Sequence, residues 1–356
     1  MMKMAKLRAF LQRKNIVITL RRYGIDALGA MAQGLFCSLL IGTILNTVGS
    51  VSGVEVFSQV GGYASQMAGP AMAIAIGYAL QCPPLVLFSL TAVGWAANSL
   101  GGAGGPLAVL VIAIVAAELG KVVSKETKID ILVTPLVTIF SGVGLAALIA
   151  APIGTAAGWV GDLIMWATDL QPFLMGIVVS VLVGIALTLP ISSAAICAVL
   201  GLTGLAGGAA VAGCCAQMVG FAVLSFRENK WGGLVAQGLG TSMLQMGNIV
   251  RNPRIWIPAT LASAVTGPIA TCVFRLEMNG APISSGMGTC GLCGPIGVIT
   301  GWFDPTNGAA AITPSAMDWI GLALVCIVLP ALLTWLIGIP CRRLGWIKDG
   351  DLKLDL

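Results

Sequence analysis

The apolar positions of this chain run together in blocks of about 20 residues, separated by short polar or glycine-rich stretches. Blocks of that length can cross a hydrocarbon core about 30 Å thick. At that depth backbone groups must pair within helices or closed barrels. The runs 131–150 and 319–338 lack the dyad alternation of barrel strands, so the pattern predicts an all-α polytopic membrane protein. Residues 25–50, 106–120, 131–150, 171–190, 255–275 and 316–340 read as spans. The stretch 67–98 is broken near its middle by Pro83-Pro84, which predicts a re-entrant or broken-helix hairpin. Pro190 and the glycine tract 201–213 bracket a second tight hairpin, 191–225. A short third one covers 232–247, and 281–300 forms another, broken by glycine.

Composition supports this class. Hydrophobic residues make up 57% of the chain and charged residues 9%, against about 25% charged in soluble domains. The few charges set a topology. Lys3, Lys6, Arg8, Arg13, Lys14, Arg21 and Arg22 precede the first span, and Lys121, Lys125 and Lys128 share one short loop. Arg227 and Lys230 share another, and Arg342, Arg343, Lys348 and Lys353 lie in the tail. The segments 151–170 and 302–318 carry only acids. The positive-inside rule therefore places both termini in the cytoplasm and the acidic segments outside. Leu7, Phe10, Leu11, Ile16, Val17 and Leu20 recur among the first cations at roughly helical spacing. Residues 1–24 thus read as a basic amphipathic helix on the inner leaflet, or equally as a bare topology signal. Residues 25–340 form the membrane domain and 341–356 a cytoplasmic tail.

The chemistry narrows next. The chain contains no His, which removes the commonest proton relay and metal ligand and any phosphohistidine step within it. Its ten Cys sit mostly in apolar context and form no disulfide framework. Cys290 and Cys293 have redox or zinc spacing, but no second such pair exists to complete a zinc site. No Walker loop, G-x-S-x-G elbow or H-E-x-x-H occurs. The expectation is therefore no cofactor, no metal, no catalytic residue and no nucleic-acid partner.

Breakage is the informative feature. Non-helical backbone at membrane depth survives only where protein or a wet cavity satisfies it, and transporters use it to present backbone dipoles to substrate. Asn98, Gly101 and Gly102 lie in one glycine-dense break, and Ser284, Ser285, Gly286, Gly288 and Thr289 in another. Glycine beside hydrogen-bonding side chains suits close approach to a ligand. Gly207, Gly208 and Gly213, set among alanines, read instead as helix packing. Two such polar breaks, one in each half, suggest an internal repeat. Glu118 is an acid near the inner end of a span, three residues from Lys121, where it can form an ion pair or serve substrate. The run holding Gln245, Asn248, Arg251 and Asn252 supplies amides and a guanidinium, either for a hydroxyl-rich or anionic ligand or as part of a positive-inside loop.

Five stretches carry a family resemblance: 81–89 (QCPPLVLFS), 118–130 (ELGKVVSKETKID), 252–258 (NPRIWIP), 266–270 (TGPIA) and 286–295 (GMGTCGLCGP). The chain resembles the IIC-type membrane proteins of the phosphotransferase system, most of all the branch with the perfringolysin regulator-like proteins. The resemblance implies a bacterial inner-membrane sugar permease, a homodimer with about ten spans and re-entrant hairpins. It also implies elevator-like movement and separate cytosolic IIB and IIA partners. The chain departs from the better-known branches, whose sites use a His and a Glu. Facilitated or ion-coupled uptake therefore stands beside phosphoryl transfer. A membrane-bound sensor that binds a solute without moving it is the alternative, motivated by the basic N-terminal segment.

Overall fold

A computed structural model describes residues 9–354, and these are helical apart from turns, loops and one isolated β-bridge. In chain order the main helices are α1 (Arg22–Gly49), α2 (Glu55–Gln66), α3 (Ala68–Ala79), α4 (Pro84–Gly101), α5 (Gly105–Val123), α6 (Asp130–Thr168) and α7 (Pro172–Thr188). There follow α8 (Ser193–Leu200), α9 (Gly204–Leu224), α10 (Phe226–Val235), α11 (Met246–Arg251), α12 (Pro253–Val273), α13 (Cys293–Phe303) and α14 (Ala316–Arg343). Among the described residues six runs are long and apolar enough to cross a membrane: α1, Pro84–Val123, α6, α9, α12 and α14. Three shorter apolar helices, Ala68–Ala79, Pro172–Thr188 and Cys290–Phe303, accompany them. Because Pro84–Val123 is bent at Gly102 into the two arms α4 and α5, the apolar helices number about ten. The protein is thus a polytopic all-α membrane protein.

The chain divides into two compact units, one of residues up to Leu39 with Tyr63–Ala156, the other of Leu40–Gly62 with residues from Ala157 on. In the first, α3 and α4 form the hairpin expected over 67–98. Gly69 abuts Gly94 at one end and Gly77 abuts Leu87 and Leu90 at the other, so the helices run antiparallel. The turn between them is made by Gln81 in the left-handed region (φ 56°) and by Pro83, which caps α4 ahead of Pro84 at its first position. α5 then folds back on α4: Gly105 meets Asn98 and Gly120 meets Val86. Gly102, at φ 50° and ψ −124°, makes that reversal, a backbone conformation glycine reaches without a side-chain clash.

At the edge of this unit the basic N-terminal segment is docked. Residues 1–8 lie outside the described residues. Residues 9–13 are helical, 14–15 form a turn with Asn15 at φ 53°, and 16–19 are irregular. The helix expected over 1–24 is therefore, in the described part, a short one ending at Arg13. What holds the segment is polar. Lys14 donates to the Ser124 carbonyl and pairs with Glu126 at 2.5 Å, and Arg13 pairs with the same carboxylate at 2.7 Å. Asn15 donates to Gln81 at 2.5 Å, and Arg22 donates to the Leu80 carbonyl at 2.6 Å.

In the second unit α9 is the central helix, and the sides of its glycine tract touch backbone. A Cβ on Gly213 would fall on the Ser180 carbonyl of α7, and one on Gly208 on the Leu276 carbonyl. The packing reading of Gly207, Gly208 and Gly213 fits this geometry. α7 and α12 run antiparallel, with Gly176 against Gly267 and the Ser180 hydroxyl donating to the Ser263 carbonyl at 2.8 Å. α14 packs along α9, Gly220 facing Thr334 and Gly338 facing Leu224. The apolar core joins Val211, Ala212 and Cys215 of α9 to Met278, Val298, Trp302 and Val325.

Three expected boundaries move. α6 does not end near 150 but continues to Thr168 through Pro152, so most of 151–170 is helix. A proline costs a helix one hydrogen bond locally, and the long apolar run on either side absorbs it. The hairpin expected over 191–225 is a short helix, α8, followed by the full-length α9, because Gly201 and Gly204, both at positive φ, turn the chain before the tract. The segment 232–247 is no hairpin but a succession of short helical turns leading from α10 into α11.

Gly213→Ala is expected to cost about 1–3 kcal/mol, since its Cβ meets backbone that cannot rotate away; thermal unfolding of the detergent-solubilised protein reads the loss. A second outcome concerns pH. The Lys14 hydrogen bond, and then Arg13, hold the Glu126 carboxyl below the usual carboxylate range. A depressed folded-state pKa stabilises above the unfolded value, 4.5, and that contribution disappears as pH falls through the folded value. Amide exchange of residues 10–16, corrected for intrinsic rate, should therefore accelerate on acidification, and Glu126→Gln should produce the same acceleration at neutral pH.

Candidate functional site

The glycine-dense segment 284–295 lies in the elbow between α8 and α9. Ser192 caps α8 by accepting from Ala195 N at 3.2 Å, and Gly201 ends it in the left-handed conformation. Two antiparallel bonds between Gly204 and Met278, both 2.9 Å, tie the start of α9 to the strand-like entry of the hairpin. Gly280 and Gly301 then lie against the opposite arm, so 279–303 doubles back as the sequence predicted for 281–300. Its glycines sit where backbones touch: Gly286 against Ser193 and Ala194, Gly288 (φ 53°) against Cys214 and Cys215. Its hydroxyls are largely occupied. Ser285 donates to the Leu202 carbonyl at 2.6 Å, the Gly286 carbonyl accepts from Ser193 at 2.7 Å, and Thr289 points to Met218 Sδ at 3.7 Å. Ser284 is half-buried, and its hydroxyl makes no hydrogen bond among the described residues.

One turn along α9 stands the polar centre of this unit. Gln217 is fully buried and gathers side chains from two other helices, α7 and α12. Its Oε1 accepts from Trp256 Nε1 at 2.9 Å and from Thr188 Oγ1 at 3.3 Å, and its Nε2 lies 3.4 Å from Ser263 Oγ and 3.5 Å from Thr260 Oγ1. Thr188 also bonds Ser242 Oγ at 2.8 Å. Thr188, Ser242 and Ser263 are buried, whereas Trp256 and Thr260 are partly exposed, so the cluster opens toward one edge of α12. It is neutral throughout: an amide, hydroxyls and an indole. A buried amide inside a helix of spanning length is costly unless it is partnered. Sequence reading missed Gln217. The available signal was one amide in the otherwise apolar helix Gly204–Leu224.

The run around residue 245 has a different occupant. Gln245 Nε2 donates to the Leu352 carbonyl at 3.0 Å and to Gln237 at 2.9 Å, and Asn248 Nδ2 donates to the Lys353 carbonyl and to Gln245, both at 2.8 Å. Asn252 Nδ2 donates to Trp346 O at 2.9 Å and to Asp351 at 2.8 Å. Asn229 completes the clamp, donating to Leu352 O and accepting from Leu354 N, both at 2.8 Å. These amides grip the chain's own C-terminal segment, whose Ile347 and Leu352 are buried. Arg251 is exposed, its guanidinium 3.5 Å from Asn248 Oδ1.

In the first unit, Asn98, Gly101 and Gly102 form the tight reversal between α4 and α5; Asn98 is half-buried beside Gly69 and Gly105. Glu118 pairs with the almost wholly buried Lys121 at 2.7 Å, as the three-residue spacing permits, and accepts from Tyr23 at 3.0 Å. Lys121 also donates to the Asn15 carbonyl at 3.1 Å and to Leu80 O at 3.2 Å, so this charge fastens the N-terminal segment. Among the described residues no group of three His, Cys, Asp or Glu could hold a metal ion.

With this geometry in view, the family described as "Phosphotransferase system, EIIC" matches residues 25–354. The chain belongs to that family. It is a membrane component of sugar transport, and the match takes in the clamped C-terminal segment almost to its end. A search of curated proteins found no match, and neither did one of solved structures.

Asn248→Ala removes donors that serve the tail backbone at Lys353 and the buried Gln245 Oε1, and should cost about 1–3 kcal/mol. Trypsin should then cut sooner at Lys348 or Lys353, which gel analysis of a timed digest will reveal.

Proposed function

We propose that this EIIC chain is a permease for a neutral sugar, which it binds at the Gln217 cluster of the second unit. The observation that carries the reading is the chemistry of that cluster. Sugars present paired hydroxyls, each donor and acceptor, and a weakly apolar ring face. An amide, three or four hydroxyls and an indole edge match both. These groups bond one another; a bound sugar would exchange those bonds for its own at little net cost. The hairpin 279–303 lies against the next turn of α9 through Gly288 and Thr289, so its displacement is the local motion that would open the cluster.

The remaining features form one reading. Both termini lie in the cytoplasm of a bacterial inner membrane, and the carrier is a homodimer moving its sugar by an elevator-like shift. No His is available, and no acid contacts Gln217, so the sugar is translocated without proton relay in this cluster. Phosphorylation, where it occurs, falls to separate IIB and IIA partners. Ser284 is a secondary contributor. Gln245, Asn248 and Asn252 could contribute only after the C-terminal segment leaves them.

Uptake of labelled glucose, mannose, N-acetylglucosamine, mannitol and cellobiose into cells lacking their own carriers tests this. Expression should raise uptake of at least one, and Gln217→Ala should lower it about tenfold or more at equal protein level, the loss of one or more buried hydrogen bonds. Equal uptake with and without the chain across the panel overturns the proposal. Persistence of uptake in cells devoid of phosphocarriers separates facilitated from phosphorylation-coupled transport.

A further inference from the structure

At the other end of the α7–α12 pair, away from Gln217, the second unit has a cavity of about 470 Å³ that serves no purpose described so far. Gln171 and Phe173 line it from the start of α7, Thr271 from the last turn of α12, and Arg275 and Glu277 from the segment that follows. Thr260 in the Gln217 cluster and Thr271 in the cavity are eleven residues apart on one helix, about 16 Å. Between them Gly176 meets Gly267, and Ser180 meets Gly213 and Ser263. The cavity and the cluster are thus two polar places on one helix pair, separated by a close-packed crossing.

The cavity's polar groups are poorly used. Arg275 and Glu277 stand two residues apart with opposite charges, and both are exposed. They do not pair: among the described residues the Arg275 guanidinium makes no ion pair or hydrogen bond, and the Glu277 carboxylate accepts from Asn279 alone, through Oε2 at 3.0 Å. The exposed side chain of Gln171 has no hydrogen bond among the described residues, and the ring of Phe173 is exposed. The backbone is also irregular. α12 ends in a π-helical turn, Ile269–Val273, and Arg275 adopts φ 46°, a left-handed conformation that a long side chain rarely takes. Strain of this kind persists where surrounding structure imposes it, and it gathers at ligand sites. A carboxylate, a guanidinium and an amide around an open aromatic ring offer hydrogen bonds to vicinal hydroxyls and a stacking face for a sugar ring. The volume lies within the range of about 300–1,000 Å³ typical of small-molecule sites.

We propose that this cavity is a second sugar subsite, a vestibule that captures the sugar before or after its stay at Gln217. Glu277 and Arg275 bind its hydroxyls and Phe173 supports its ring. The inference rests on the reading of the chain as a sugar permease but is tested separately from it, through the exposed thiol of Cys272, which also lines the cavity. The protein carrying Cys37→Ser, which removes another exposed thiol, is placed in lipid nanodiscs. Alkylation of Cys272 by a polar maleimide is then timed with and without glucose, mannose, N-acetylglucosamine, mannitol and cellobiose. At least one should slow alkylation by about tenfold at saturation. Glu277→Gln and Arg275→Gly should each abolish the protection. Arg275→Gly should also hold or raise the thermal midpoint, because glycine relieves the left-handed residue; a residue with only a structural part would lower it. In cells, these variants should raise KM for uptake about tenfold and leave the maximal rate, whereas Gln217→Ala lowers the maximal rate. Absence of protection by every sugar, or protection that survives in the Arg275→Gly/Glu277→Gln double variant, overturns the vestibule. Protection lost in the variants of a chain that transports none of the panel keeps the vestibule and sinks the permease reading. Uptake without any protection does the reverse.

Discussion

Contact between backbones, permitted by glycine, is the constraint on which the second unit depends. Inside a membrane no hydrophobic force draws one apolar helix to another, since lipid is as apolar as a side chain. Association then rests on close packing and on hydrogen bonds. α9 is held through both. Gly208 and Gly213 let it lie against the carbonyls of Leu276 and Ser180, and Gly288 lets the hairpin reach Cys214. That closeness brings Ser180, Ser263 and Thr188 within bonding range of neighbouring carbonyls and of Gln217. A side chain at any of these glycines would separate the helices and undo the polar cluster with them.

The same rule explains how the protein deploys its amides. In a medium without water each amide must find a partner in protein. Gln217 finds hydroxyls and an indole at the middle of a helix, groups that can exchange partners with a ligand. Gln245, Asn248 and Asn229 find main-chain carbonyls of the C-terminal segment, which are covalently attached and always present. Both sets have the residue types of a sugar site. The first is bounded by side chains that can rotate, and the second closes the unit around its own tail.

Charge is used as a fastener as well. Lys121 is almost entirely buried yet has Glu118 and two carbonyls, so its burial is compensated within the first unit. Arg342 does similar work in the second, bridging Glu228 at 3.0 Å and the Leu224 carbonyl at 3.0 Å. Arg275 differs from both: it is an exposed cation in left-handed backbone whose guanidinium has no partner among the described residues.

Much of this was legible in the residues. Runs of apolar positions determined the class and most spans, because membrane thickness leaves few lengths to choose from. Pro83-Pro84 determined the α3–α4 hairpin, and the spacing of Glu118 and Lys121 determined their pairing, since both are local matters. Packing by Gly207, Gly208 and Gly213 was legible from their alanine neighbours. What only the tertiary structure decided depended on partners distant in sequence. A run of amides at 245–252 looks the same whether it awaits a ligand or holds residues 346–354, which lie about a hundred positions away. Gln217 looks like one polar residue in an apolar helix until Thr188, Ser263 and Trp256 converge on it. Local patterns carry the elements; long-range contacts assign the donors.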